Sequence, residues 1–322
     1  MALSADLRSA YRDWTRAPER GSPWLIKLIV ALARSFPRRW VTLLLYPIVA
    51  YFVVFSPRQA AASRHFLTRA LRRAPRQREV FDHYLTFARM VLDRVYWLSR
   101  EPHGIRVQVD GQEAIEKELA GRTEGALILS AHLGSFEALR GAGELAAGRR
   151  IRPVMYVSNA SKMHQVLDAI NPQIARDAIM AGRPGTMIAI KDAIARGDLV
   201  GILADRSPLP ERTALVSFMG EDAPFPIGAY RLAALLNAPI YFACAVLVGD
   251  DYRICFERME PASADMSVDD RKEWVASQAA LFARHLEFYA RAYPFNWFNF
   301  YDFWQEEPRD AETGPDAGAR ES

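Results

Sequence analysis

The sequence predicts an α/β protein: a central mixed, largely parallel sheet flanked by helices, preceded by an N-terminal helical membrane-anchoring segment. Three observations carry this reading. From residue 105 onward, apolar runs at strand spacing alternate with runs at helical spacing. Two of the apolar runs, GALILSA and DLVGILAD, stop abruptly at His132 and Asp205, as buried strands do where they reach a sheet's carboxyl edge. The first 80 residues are basic and rich in apolar runs: they hold 15 Lys and Arg against 4 Asp and Glu, whereas the remainder holds 26 against 34.

The elements follow in order. Residues 24–36, WLIKLIVALARSF, form an apolar helix interrupted by Lys27 and Arg34. Residues 40–55, WVTLLLYPIVAYFVVF, are uncharged and lie between Arg38-Arg39 and Arg58. Sixteen helical residues reach roughly 24 Å, short of a bilayer core of roughly 30 Å, and Pro47 should kink them. Trp40, Tyr46 and Tyr51 suit a membrane interface, and the arginines through Arg78 suit an anionic membrane surface. Residues 79–99 repeat apolar positions at helical spacing, with His83 read as a surface residue.

In the body, IRVQVDG alternates like a strand or hairpin, EAIEKELA is a short helix and GALILSA a buried strand. SFEALRGAGELAAG is a helix, RPVMYVS a strand, ASKMHQVLDAI and TMIAIKDAIARG helices, and DLVGILAD a strand. TALVSFMG, APIYFACAVLVG and DYRICFERM complete the sheet around the helix GAYRLAALLN, and a long helix covers 268–292. The expected organisation is a helical anchor region over 1–100, an α/β domain over 101–305 and a disordered polar tail over 306–322.

Composition excludes several classes. Half the residues are apolar and 25% are charged, a globular balance. Cys244 and Cys255 are too few for a disulfide framework and suit a reducing compartment. The opening residues lead into no cleavable signal. No Walker loop, G-x-S-x-G elbow, post-strand G-x-G-x-x-G or H-E-x-x-H is present, and no nucleic-acid-binding signature. His164 and His285 lack metal-ligand partners at workable spacing, so neither a metal nor a cofactor is expected.

What remains is His132 with Glu137 five residues later, and Asp205 with Arg206, each pair following a buried strand. His132-x4-Glu137 after LILSA resembles the H-x4-D/E motif of the lysophospholipid acyltransferase superfamily. Within it the chain is most similar to the bacterial lipid A late acyltransferases, the lauroyl and myristoyl transferases. GDLVGILADRSP, VSFMGEDAPFPIGAYRLAALLNAPI and YPFNWFNFYDFW resemble later blocks of that family in the same order, covering roughly residues 20–305. The chain departs from the pattern where Arg206 and Ser207 follow Asp205, where Val157 stands in place of an arginine, and in its aromatic, acidic ending. Such endings resemble a branch associated with aryl-polyene-type pigment lipids. The resemblance implies an inner-membrane enzyme on the cytoplasmic face, an acyl carrier protein or coenzyme A thioester as donor, and a membrane lipid acceptor, lipid A-type or a related glycolipid.

Acyl transfer from a thioester to a hydroxyl needs a base, and histidine titrates in the right range. His132 takes that role, and Glu137 is expected to hold its ring. With no nucleophilic Ser or Cys beside it, His132 should activate the acceptor directly. Backbone N–H groups of Gly134 and Ser135, or the Arg206 side chain, are expected to face the oxyanion. Ser135 also reads as a helix cap, and Asp205 could orient Arg206 or bind acceptor. Phe136, Phe218 and Phe225 are candidates for an acyl channel and equally for core. Two rivals stay open: a hydrolase using the same His-Glu pair, and a catalytically silent membrane adapter.

Overall fold

In the computed structural model, residues 23–98, 104–156, 176–206, 212–263 and 265–304 are described. The expected helix ASKMHQVLDAI, with His164, lies outside them, as do Val157, Ser207 and the tail 306–322.

The head begins with helices α1 (Pro23–Ser35), α2 (Arg38–Leu43) and α3 (Leu45–Phe55). The kink expected at Pro47 is instead a break at Leu44, which closes α2 and opens α3. Pro47 then stands in the first turn of α3, where no N–H is needed, so proline fits without distortion. Val41, Leu45 and Val49 are buried, while Trp40, Leu43, Tyr46, Tyr51, Val54 and Phe55 face outward. Residues 38–55 are long and apolar enough, by length and composition, to be a membrane-crossing candidate. Helices α4 (Pro57–Leu71) and α5 (Gln77–Leu98) follow.

A buried ion pair ties this head to the body. Arg38 grips Asp93 of α5 through Nε (2.6 Å) and Nη2 (2.5 Å), and the Tyr252 hydroxyl donates to the same carboxylate at 2.9 Å. Arg38 Nη1 also donates to the Asp250 carbonyl at 2.7 Å. One hydrophobic core runs from Ala33 to Phe303, joining the head helices to the sheet.

That sheet has seven strands: β1 (Val107–Asp110), β2 (Ala126–Ser130), β3 (Ile151–Tyr156), β4 (Ile179–Ala181), β5 (Leu199–Leu203), β8 (Ile240–Val248) and β9 (Asp251–Arg258). The order is β1-β9-β8-β2-β5-β3-β4, and every neighbouring pair is parallel except the β8–β9 hairpin. β2, apolar up to Ser130, therefore sits near the centre, buried on both faces. Helices α6 (Gln112–Ala120), α7 (Phe136–Ala147), α8 (Thr186–Ala195), α9 (Gly228–Leu236) and α10 (Val268–Ala292) complete the described elements. A capping box between Ser267 and Asp270 starts α10. Cys244 and Cys255 are directly opposed across β8 and β9 as buried free thiols.

TALVSFMG does not join the sheet. It forms β6 (Thr213–Phe218), which among the described residues pairs only with β7 (Glu221–Pro226) in a separate antiparallel hairpin. Met219 and Gly220 both have positive φ, as a two-residue hairpin loop of matching twist requires. Phe218 and Phe225, the candidate channel residues of this hairpin, are fully buried and pack edge-to-face on each other and on Phe303. They are core.

Candidate active site

Parallel pairing of β2 and β5 builds the site. Ser130 is in register with Leu203, so His132 and Asp205, each two residues further on, emerge side by side at the carboxyl edge. His132 Nδ1 lies 2.9 Å from Asp205 Oδ1, and the His132 main-chain N–H donates to the same oxygen at 3.2 Å. Because the ionised carboxylate only accepts, Nδ1 carries the proton and Nε2 keeps its lone pair. No hydrogen-bond partner of Nε2 is found among the described residues, and 38% of the imidazole side chain is open to solvent.

Glu137, expected to hold that ring, does not. It lies in the first turn of α7 and is bound by Arg94 of α5, with Nε at 2.6 Å and Nη2 also in contact. Here the spacing of five, across a strand end, a loop and a helix start, leaves Glu137 with Arg94 rather than with His132. The register of neighbouring parallel strands brings Asp205 to the ring instead.

The oxyanion donors expected in the same loop are also engaged. The Gly134 N–H donates to the Asn296 carbonyl and the Ser135 N–H to the Ala245 carbonyl, both at 2.8 Å. These bonds stitch the loop to β8 and to a late segment, and they force glycine at 134. Its φ is +79°, and a Cβ there would lie 1.9 Å from the Ala245 oxygen. Ser135 Oγ accepts the Ala138 N–H at 3.2 Å and so caps α7. Phe136 packs its ring over Gly201 of β5, where any side chain would collide.

Asp205 is fully buried and surrounded by donors. Oδ2 accepts the Trp297 indole N–H at 3.2 Å and Arg206 Nε at 3.3 Å. Burial alone would raise its pKa. The neighbouring imidazole, the Arg206 guanidinium and the hydrogen bonds from His132 and Trp297 outweigh it and hold the carboxyl well below the usual range. For His132, loss of hydration on partial burial and then Arg206 lower the pKa, and Asp205 only partly restores it. The ring is therefore neutral at physiological pH. Arg206 itself donates to the Phe298 carbonyl at 3.1 Å and lies over the Tyr301 ring at 4.9 Å.

Two participants had no site role in the sequence reading. His83 is wholly buried rather than on the surface, with Nδ1 2.8 Å from Ser63 Oγ and Nε2 2.9 Å from the Trp297 carbonyl. Its helical spacing from Val80, also buried, was the available signal. The segment Asn296–Phe298 is the other: Leu133 bridges Trp297, and the Phe298 N–H donates to the His132 carbonyl at 2.8 Å.

A family model described as bacterial lipid A biosynthesis acyltransferase matches residues 12–305. The chain belongs to that family. It is thus an acyltransferase with a mixed, mostly parallel sheet. Among solved structures, the 1-acyl-sn-glycerophosphate (LPA) acyltransferase PlsC from Thermotoga maritima is similar over 78% of this chain and 98% of its own, at 12% identity and a TM-score of 0.35. No curated protein matches.

Proposed function

We propose that the enzyme moves a fatty acyl chain from an acyl thioester, carried by acyl carrier protein with coenzyme A as the alternative carrier, to a hydroxyl of a membrane lipid. The acceptor is a lipid A-type precursor or a related glycolipid or pigment lipid. The observation that carries this reading is the His132–Asp205 pair, with Nδ1–H committed to a buried carboxylate and the ring open at its other edge.

His132 Nε2 takes the acceptor's hydroxyl proton as the oxygen attacks the thioester carbon. Asp205 fixes the tautomer and stabilises the imidazolium that forms. The tetrahedral intermediate then expels the thiolate, which recovers the proton from His132. Phe136 and Glu137, whose N–H groups have no acceptor among the described residues, open α7 and suit the oxyanion. Glu137 braces the start of α7 through Arg94.

The outward apolar face of α2 and α3 serves as the attachment to the cytoplasmic face of the inner membrane. Its opposite face is buried on α5, which supports a helix lying along the interface rather than crossing it. Exposed Arg72, Arg73, Arg76 and Arg78 draw the acidic carrier and anionic headgroups.

The test is transfer from acylated carrier protein to purified lipid acceptor by wild-type enzyme and His132→Ala. Transfer should fall by about 10²–10⁴-fold in the variant with folding intact. Wild-type rates in His132→Ala would reject the base, and release of free fatty acid without an acceptor product would favour hydrolysis.

A further inference from the structure

We infer that Trp297 is a positioning residue of the transfer reaction, acting through Asp205: its indole N–H holds the carboxylate oxygen that His132 does not use. The inference rests on the reading of His132 as the base. Asp205 presents Oδ1 to His132 and Oδ2 to Trp297 Nε1 at 3.2 Å and Arg206 Nε at 3.3 Å, so the indole shares with Arg206 in setting the rotation of the carboxylate and, through it, of the imidazole. A carboxylate that turns away leaves the imidazole free to take the other tautomer, in which Nε2 carries the proton and is no base.

The indole is held on every side the structure describes. Its ring packs edge-to-face against Phe66, Phe218 and Phe303, at 4.9, 5.3 and 5.1 Å between centroids. Its carbonyl accepts from His83 Nε2, and His83 is in turn stacked on Phe300 and bonded to Ser63. Its chain neighbours are pinned to the catalytic loop: the Asn296 carbonyl accepts from Gly134, and the Phe298 N–H donates to the carbonyl of His132. Asn296 is locked to Leu247 of β8 through both amide atoms, at 2.7 and 3.3 Å. An indole needed only to fill space would not require its one polar atom to meet a buried carboxylate, and Trp is the apolar filler that carries such a donor.

Among the described residues, the charged and titratable groups that bear on this pair are few. Arg206 faces both Asp205 and His132. On α7, Glu137 is bound by Arg94; from α5, His83 stands behind Trp297 as a neutral ring. The Asn296–Phe298 segment offers only the indole and main-chain groups.

The experiment replaces Trp297 by 3-benzothienylalanine, which keeps the shape and puts sulfur where the N–H was, alongside Trp297→Phe. Each enzyme is assayed in full-length form with acylated carrier protein, reading kcat, KM for the donor and the pH profile. Losing a hydrogen bond to a charged group should lower kcat about tenfold and leave the donor KM unchanged. With Oδ2 left to Arg206 alone, Asp205 should draw the imidazolium more strongly, moving the acid limb of the profile to higher pH. A space-filling role would move neither in the isostere. Wild-type kcat and an unmoved acid limb in the isostere would overturn the inference, even if Trp297→Phe fails to fold. His132→Ala run in parallel separates the two levels: an active His132→Ala removes the base and this inference with it, whereas an inactive one beside a normal isostere removes the inference alone.

Discussion

At the scale of residues, the site is a neutral imidazole bound to a carboxylate that a guanidinium holds from its other oxygen, and the balance of the two charges sets its working range. The base is active when unprotonated. Its pKa lies below the ordinary 6.5, so activity should rise through mildly acid pH and level off by neutrality. Arg206 is one of the groups that depress it. Arg206→Gln should therefore raise the His132 pKa and move the acid limb of log kcat/KM to higher pH; an unmoved limb would mean that Arg206 exerts no field on the ring. His132, Asp205 and Arg206 were legible as polar residues after buried strands. Their pairing was not, because Glu137 is close in the chain and Asp205 is 73 residues from His132. Only the strand register makes the distant carboxylate the near one.

At the scale of elements, α5 shows how far helical spacing carries. It predicted a helix over 79–99, against Gln77–Leu98 observed, but a polar residue on the inner stripe was read as solvated. The partners that make burial tolerable, Ser63 and the Trp297 carbonyl, lie on other elements and are invisible locally. The hairpin misled for a related reason. β6 alternates like a sheet strand, whereas β7 carries Glu221, Asp222, Pro224 and Pro226 and does not read as a strand at all. Burial, against the partial support of its hydrogen bond to Trp297, lowers His83 to about 4 from an ordinary 6.5. The native state thus binds its proton less readily than the unfolded chain does. Its contribution to stability is complete above about pH 6.5 and is lost as the pH falls toward 4, up to about 3 kcal/mol in all. Wild-type enzyme should show a falling melting midpoint between pH 7 and pH 4.5. His83→Gln should melt lower at pH 7 and change less over that interval; an equal fall in both would place the acid sensitivity elsewhere.

At the scale of the whole molecule, the head and the α/β body are one structure, clamped through Arg38 and Asp93, so a membrane-bound head fixes the height of the catalytic edge above the lipid. The basic, apolar head was legible in composition; its docking onto α5 and β9 was not, because a buried Arg–Asp pair leaves no pattern in the chain. Tyr51 and Val54 are 54% and 68% exposed on the outward face. Tyr51→Glu with Val54→Glu should weaken sedimentation with anionic vesicles at least tenfold, from roughly 1.5–3 kcal/mol per lost apolar contact. Turnover of a soluble acceptor analogue should be preserved, and unchanged vesicle binding would move the attachment off this face. The chemistry depends most on which carboxylate serves the base. Donor-saturated kcat of Asp205→Asn and Glu137→Gln, measured side by side, decides it. Asp205→Asn should lose about 10²-fold or more through the wrong tautomer, and Glu137→Gln less than about tenfold, as suits a partly exposed ion pair. The reverse order would contradict the account and return the ring to Glu137.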